Sequence, residues 1–372
     1  MKKIELRVNK SLSSPIIVSS ESSLNLASFF NLEKYSKIIV LTDQNVAGFW
    51  LAEVAKSLSK TNLEINSIVL TPGEINKNLE SVLQIWKELT RIKVDRQSLL
   101  ICLGGGVVGD LGGFAASCYL RGIDFLQVPT TIVAQVDSAI GGKTGFDFED
   151  QKNNIGSFSL PIGVVIDPLL LKTLPEREYN QGFGEVLKYG LISDNKFWQE
   201  IVNTPKDKSF KPKDIQTNLL LSIIAKCAKI KANITATDFE ETSGKRKLLN
   251  FGHTFGHAVE MLSLNADVQL FHGEAVAIGI HFEAFLSQKL GFLKEHELKQ
   301  IADTLHAWKL PVTAKFLKAE DIDKILDKIQ QDKKTSKGVV KWTLLKKLGQ
   351  GVSDQIVDDK LLKSAILEFL RY

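Results

Sequence analysis

The stretch LLICLGGGVVGDLGG (99–113) decides the architecture. Five apolar residues, Leu99 to Leu103, run without polar interruption into three successive glycines, and more glycines follow at Gly109, Gly112 and Gly113. A strand buried on both faces reads as such an unbroken run, whereas a strand with one wet face alternates. Glycines let the backbone turn tightly, and the helix they open presents unpaired N–H groups and a positive dipole end. Strand, glycine turn and helix in this order fit the phosphate-facing corner of an open parallel sheet. The pattern is not the G-x-G-x-x-G fingerprint in its usual place after the first strand, so a tight turn without a ligand stays open as a reading. Outward from it, the runs at 37–43, 65–74, 124–131 and 163–168 are short, rich in Val, Ile and Leu, and closed by Gly, Pro or Asp. Segments 44–60 and 79–91 between them carry helical periodicity, which makes the first half an α/β domain with a Rossmann-like parallel sheet. From about residue 174 the pattern becomes mainly helical, at 182–191, 217–235, 250–262, 274–289 and 295–305. The expected domains are 1–175, α/β, and 176–372, mainly α-helical, with 203–214 as an exposed loop.

Composition narrows the function class. A chain of 372 residues exceeds one ordinary core. With 47 basic against 43 acidic residues, the net charge of +4 lacks the dense basic footprint of a nucleic-acid binder. The three cysteines, Cys102, Cys118 and Cys227, are odd in number and show no C-x-x-C spacing, which points to a reducing compartment without structural disulfides. The opening MKKIELRVNKSLSSPIIVSS has no continuous apolar core of a signal peptide. No apolar run reaches the roughly 18 residues that span a bilayer. The expectation is a cytoplasmic protein with a small-molecule partner, without nucleic acid or membrane.

Several residues carry chemistry on their own reading. Asp43 ends a strand, where it could accept a ribose hydroxyl or simply face water. The cluster GGKTG (141–145) looks like the end of a P-loop, but Asp137 stands where that motif requires glycine and no strand directly precedes it, which argues against ATP binding by that route. Lys143, beside those glycines, is still placed to meet a phosphate. In NFGHTFGHAVE (250–260), helical spacing puts Asn250, His253, His257 and Glu260 on one face. His272 and His281 lie just beyond, and Glu185 shares a helix face with Lys188. Two histidines with a carboxylate and open positions make a common catalytic zinc arrangement. Spacing alone nominates His253 and His257 as the histidine pair; two ordinary polar helix residues is the competing reading.

Taken together, these residues resemble the 3-dehydroquinate synthase family. The resemblance rests on GGGVVGDLGGFAAS (104–117), YLRG (119–122), QVPTTIVAQVDSAIGGKTG (127–145), QKNNIGSF (151–158), LKTLPERE (171–178), GFGEVLKYG (182–190), LLNFGHTFGHAVE (248–260), FHGEAVAIG (271–279) and DKK (332–334), in the family's order. It implies NAD at Gly106, Val107, Val108, Gly109 and Asp110, with further contacts at Asp43, Glu74, Lys77, Thr130, Thr131, Lys143, Lys152, Leu170, Leu171, Lys172 and Thr173. It implies one divalent metal, zinc or cobalt, on Glu185, His253 and His272, and thereby moves His257 from the metal to the substrate. The substrate residues it implies are Arg121, Asp137, Lys143, Lys152, Asn153, Lys188, Lys231, Glu241, Arg246, Asn250, His257 and one of Lys333 and Lys334. The implied reaction turns 3-deoxy-D-arabino-heptulosonate 7-phosphate into 3-dehydroquinate by transient oxidation, phosphate elimination, re-reduction and aldol closure, in a protein that is usually a homodimer. The closest alternative is a sister sugar-phosphate cyclase acting on a substrate without the carboxylate, making an inosose or a valiolone. A metal- and NAD-dependent polyol dehydrogenase and an inactive NAD-binding regulator are further alternatives.

Overall fold

The unbroken apolar run at 99–104 is the strand β5 of a parallel sheet in the computed structural model, which describes residues 1–9, 12–149, 151–204, 217–264, 266, 269–332 and 339–371. Among these, contacts divide the chain into two units, Met1–Pro175 with Ser209–Glu240, and Glu176–Lys208 with Glu241–Tyr372.

In the first unit the strands are β1 (Lys2–Arg7), β2 (Ser13–Val18), β3 (Lys37–Asp43), β4 (Glu64–Leu70), β5 (Leu99–Gly104), β6 (Asp124–Pro129), β7 (Lys143–Phe148), β8 (Gln151–Phe158) and β9 (Gly163–Ile166). Seven of them, among the described residues, form one sheet in the order β1-β2-β9-β6-β5-β3-β4. All neighbours are parallel except β1 and β2. The alternation of side chains along a strand explains why β3 and β5 show no polar face. Ile39, Leu41, Leu100 and Cys102 enter one core with α3 (Leu79–Arg91) and α4 (Gly106–Cys118). Ile38, Val40, Leu99, Ile101 and Leu103 enter another with Val54 and Leu58. Those two residues belong to the segment after β3, where α1 (Gln44–Val46) and α2 (Ala52–Leu58) are joined by a π turn at Ala47–Leu51. Helix α4 lies close on the sheet: a Cβ at Gly112 would stand 2.5 Å from Cys102 Sγ. That approach explains part of the glycine run independently of any ligand.

The second unit opens with α5 (Glu176–Gln181), α6 (Phe183–Ser193) and α7 (Asn195–Asn203). The next helix, α8 (Thr217–Thr237), belongs to the first unit, where it packs on β1, β2 and the π turn Ala134–Ser138. The expected domain 176–372 therefore loses α8 to the α/β unit, because the helix meets strands formed by the first residues of the chain. The second unit continues with α9 (His253–Ser263), α10 (His272–Lys289), α11 (Glu295–Ala307), α12 (Ile322–Asp332) and α13 (Asp359–Phe369), plus a hairpin of β10 (Trp342–Lys347) and β11 (Gln350–Gln355). No helix among the described residues is long and apolar enough to cross a membrane. Most of the expected loop at 203–214 lies outside the described residues, as do Lys333 and Lys334.

One local expectation needs correction. Asn250 is not on the helix face of His253 and His257: it ends a 3-10 turn at Lys245–Asn250, and α9 begins only at His253. Gly252 between them has φ 81°, a left-handed conformation that breaks the helical path. The cluster Gly141 to Gly145 leads into β7, which pairs with β8 in an antiparallel hairpin, Lys143 opposite Phe158.

Candidate active site

Three helices of the second unit build the histidine and carboxylate cluster. Helix α9 starts with His253, α10 starts with His272, and α6 carries Glu185 in its first turn. Helices α9 and α10 touch backbone to backbone, since a Cβ at Gly279 would fall 1.8 Å from the Gly252 carbonyl oxygen. This approach brings the two histidine rings to 5.5 Å between centroids. Each ring has its Nδ1 occupied: His253 donates to the Phe251 carbonyl at 3.1 Å and His272 to Glu260 Oε2 at 3.3 Å. Such partners fix ring orientation and leave Nε2 as the coordinating atom. Both Nε2 atoms face the same oxygen, Glu185 Oε1, from 3.3 Å and 3.5 Å.

Glu185 is 1% exposed, and its ion-pair neighbours are Lys188, one helical turn on, and the two histidines. Neither carboxylate oxygen has a hydrogen-bond partner of proper geometry, although both are buried. Lys188 stands as a cation beside Oε2, which leaves Oε1, faced by the two imidazoles, as the oxygen open to a metal ion. With two imidazole Nε2 atoms beside it, the carboxylate matches the donor set of a catalytic zinc centre. His257 stands close by; its ring nitrogen and those of His253 and His272 all lie within 4.8 Å of one another. Geometry therefore offers two overlapping triads, sharing His253 and His272 and differing in Glu185 or His257. His281, the fourth clustered histidine in the sequence, points elsewhere: it donates from Nδ1 to the Val312 carbonyl at 2.8 Å and packs edge-on to Phe369.

Electrostatics separate the members. Burial pushes the Glu185 carboxyl up, but Lys188 and His253 outweigh it and hold it well below the usual carboxylate range. Burial and the Lys188 charge push His253 down to about 4, so its ring is neutral near pH 7. Burial also disfavours charge on His272, but Glu185 and Glu260 prevail and raise it to about 10. The cluster thus holds a ready carboxylate, a ready imidazole and one imidazolium that must lose a proton before it can coordinate.

Elsewhere in the second unit, Arg246, 3% exposed, pairs with Glu241 at 3.4 Å. Asn250 is exposed.

In the first unit, the glycine turn is the corner between β5 and α4. Gly105 is the N-cap and offers no side chain, so the N–H groups of the first turn are open to an anion. A Cβ at Gly105 would meet Thr131 Cγ2 at 3.1 Å, and one at Gly106 would meet Ser138 Oγ at 3.1 Å. A side chain there would crowd both neighbours, and the bare backbone suits close approach to a pyrophosphate. Pairing of Gly104 with Pro129 sets Thr130 and Thr131 beside the turn, at the carboxyl ends of adjacent strands. One helical turn on, Asp110 meets buried Lys77 at 2.6 Å, and the same ammonium is hydrogen-bonded by Asn153 Oδ1. Burial raises the Asp110 carboxyl more than Lys77 lowers it. Half-buried Asp137 and buried Lys231 form a second ion pair at 2.7 Å.

The remaining expected residues are placed less closely. Asp43 caps α1 by accepting from the Val46 N–H at 3.0 Å. Glu74 is exposed at the start of a 3-10 turn. Leu170, Leu171, Lys172 and Thr173 end another 3-10 turn, where Thr173 Oγ1 accepts from Trp50 Nε1 at 2.8 Å. Lys143 and Lys152 are exposed on the β7–β8 hairpin. Arg121 follows α4 at the end opposite to the glycine turn, about 20 Å of helix away. Arg121, Asn153 and Glu241 have φ of 69°, 52° and 58°. Left-handed backbone at non-glycine residues is uncommon and collects at functional sites.

Two carboxylates given no role of their own in the sequence, Glu260 on the histidine face and Glu283, hold the first turns of α10 and α9. Glu260 orients His272; its place on the α9 face beside His257 was the available signal. Glu283 accepts hydrogen bonds from the N-terminus of α9 and left no sequence signal beyond a carboxylate in an apolar helix.

Known proteins similar to this chain point to one family. A family model described as 3-dehydroquinate synthase N-terminal matches residues 67–181, and one described as 3-dehydroquinate synthase C-terminal matches 182–335. The 3-dehydroquinate synthase of Ruminiclostridium cellulolyticum is 38% identical over 96% of this chain and 97% of its own. That of Clostridium botulinum is 41% identical over 91% of each chain. Among solved structures, the 2-epi-5-epi-valiolone synthase of Streptomyces hygroscopicus, with NAD+ and Zn2+ bound, is 26% identical with a TM-score of 0.87, over 98% of both chains.

Proposed function

The chain belongs to the 3-dehydroquinate synthase family, and on that premise we propose that it converts 3-deoxy-D-arabino-heptulosonate 7-phosphate into 3-dehydroquinate and phosphate, as a carbon–oxygen lyase using NAD and one divalent metal. The observation that carries the reading is the buried Glu185 carboxylate, whose Oε1 is faced by the Nε2 atoms of His253 and His272. Those three residues hold the metal, and nitrogen-plus-carboxylate donors favour zinc or cobalt. When bound, NAD supplies a reversible hydride acceptor and the metal a Lewis acid at the substrate hydroxyls.

The chain's own residues supply binding, orientation and charge. Gly106, Val107, Val108, Gly109 and Asp110 receive the pyrophosphate end of NAD on the first turn of α4, supported by Lys77, Thr130 and Thr131. Asp43, Glu74 and the turn from Leu170 to Thr173 complete the nucleotide contacts. Lys143, Lys152 and Asn153, with one of Lys333 and Lys334, bind the substrate phosphate. The fork of Arg246 suits a carboxylate, and Glu241 holds it ready. Lys188 balances the charge on Glu185, His257 gives the substrate a hydrogen-bonding partner able to move a proton, and Asp137, Lys231, Arg121 and Asn250 complete the set. We place the protein in the cytoplasm as a homodimer.

Phosphate release from the heptulosonate phosphate, with substoichiometric NAD and added zinc, tests this directly. Many turnovers per NAD without net NADH absorbance are expected. Stoichiometric NADH would indicate a dehydrogenase, and turnover only with a carboxylate-free sugar phosphate would indicate a sister cyclase.

A further inference from the structure

Glu283 lies wholly buried in α10 and has no role in the chemistry above. Its Oε2 accepts from the Gly252 N–H at 2.6 Å, and its Oε1 from the N–H groups of Thr254 at 3.0 Å and Phe255 at 3.2 Å. These are orphan donors that every helix start leaves open, usually met by a Ser, Thr, Asp or Asn at the N-cap. Here the N-cap is Gly252, and a Cβ at that position would lie 2.6 Å from Ile280 Cγ1, so the close approach of α10 forbids a local cap. The cap comes instead from the approaching helix itself. Its negative charge also complements the positive end of α9.

We propose that Glu283 is a positioning residue of the metal centre. Helix α10 carries His272 as its first residue and Glu283 further along. By gripping the first turn of α9, whose first residue is His253, Glu283 refers both histidines to one rigid element and sets the separation of their Nε2 atoms. This rests on the reading of Glu185, His253 and His272 as a metal site. A carboxylate is required because it only accepts: a glutamine would turn an NH2 group toward one of three buried donors.

The test uses full-length Glu283→Gln, Glu283→Asp and, as a control, Ser287→Ala. Ser287 is also buried in α10, where its hydroxyl donates to the Glu283 carbonyl at 2.7 Å and accepts from the Leu345 N–H at 3.0 Å, away from α9. Zinc affinity is read by chelator competition, site geometry by the visible spectrum of the cobalt-loaded protein, and fold by the melting temperature of each metal-free form. Glu283→Gln is expected to raise the zinc Kd about 10- to 100-fold, the usual cost of losing an outer-shell partner, and to shift the cobalt bands. Glu283→Asp, keeping the charge but withdrawing it by one methylene, should shift both by less. Ser287→Ala should lower the melting temperature while leaving Kd and spectrum as in the wild type. A wild-type Kd and spectrum in Glu283→Gln would overturn the proposal. So would an affinity loss in Ser287→Ala that tracks its loss of stability, or failure of both Glu283 variants to fold. Wild-type protein that takes up no zinc would sink the metal-site reading and this proposal with it.

Discussion

At the scale of the residue, the decisive difference is between two histidines that spacing treats as equals. His253 and His257 sit one turn apart on α9, and both reach the cluster. What distinguishes His253 is non-local: an Nε2 that faces a carboxylate on α6, with Nδ1 tied to a carbonyl. Removing a ligand and removing a neighbour should therefore differ. His253→Ala and His272→Ala are expected to purify with little metal, whereas His257→Ala keeps about one equivalent and loses turnover, as metal analysis of the three proteins would show. A metal-free His257→Ala beside a metal-replete Glu185→Ala would select the three-histidine set. The proton count gives a second prediction. With His253 at about 4 and His272 at about 10, only His272 is protonated near neutrality and must release its proton on coordination. Zinc uptake at pH 7–8 should therefore release close to one proton, and affinity should climb with pH up to about 10, because the proton competes for the same nitrogen. Calorimetry in buffers of different ionisation enthalpy measures this; no proton release would contradict the assignment. The site was legible in the sequence where chemistry is local to a motif, and not where a buried carboxylate such as Glu283 acts on a distant helix start.

At the scale of the element, the sequence was clearest where one helix meets one core. The amphipathic segment 79–91 is α3 residue for residue, with Val82, Ile85 and Leu89 buried at helical spacing. It was misleading where glycine serves contact between helices. Asn250 fits the α9 periodicity, yet Gly252 turns the chain aside so that α9 can lie against α10. Gly279→Ala tests that contact, since the new methyl would stand 1.8 Å from the Gly252 carbonyl. Overpacking of this kind costs about 1–3 kcal/mol, and a backbone obstacle puts the cost at the upper end. The urea midpoint should fall accordingly; an unchanged midpoint would mean that the two helices separate at no cost.

At the scale of the whole chain, strands and helices reveal their type in the sequence, but not the order in which the chain revisits a core. The sequence runs at 37–43, 65–74, 99–104, 124–131 and 163–168 each contain a parallel strand of the sheet, whereas β1 and β2 carry no comparable unbroken apolar run and do not announce themselves. The same gap hid the return of α8, whose Leu220, Ile223, Ile224 and Cys227 are buried and which packs on β1 and β2. Full burial of Leu220, Ile223 and Ile224 contributes roughly 1.5–3 kcal/mol each, comparable in sum with the ~5–15 kcal/mol stability of a domain. A fragment of residues 1–175 should therefore lack a cooperative thermal transition and bind a hydrophobic dye. A sharp transition in that fragment, followed by circular dichroism, would show that α8 is dispensable.

The placement of His272 and Glu283 on one helix has a consequence for how the sequence can change over time. Eleven residues of α-helix set their spacing at about 16 Å and their relative direction at about 100° per residue. Exchange of one side chain for another between them alters neither quantity. Loss or gain of a single residue there swings the carboxylate away from α9 by more than a quarter of a turn. Within this span the gene can drift by substitution except where a glycine meets a neighbouring backbone, as at Gly273 and Gly279, but it is closed to insertion and deletion throughout, so length is held more strictly than identity.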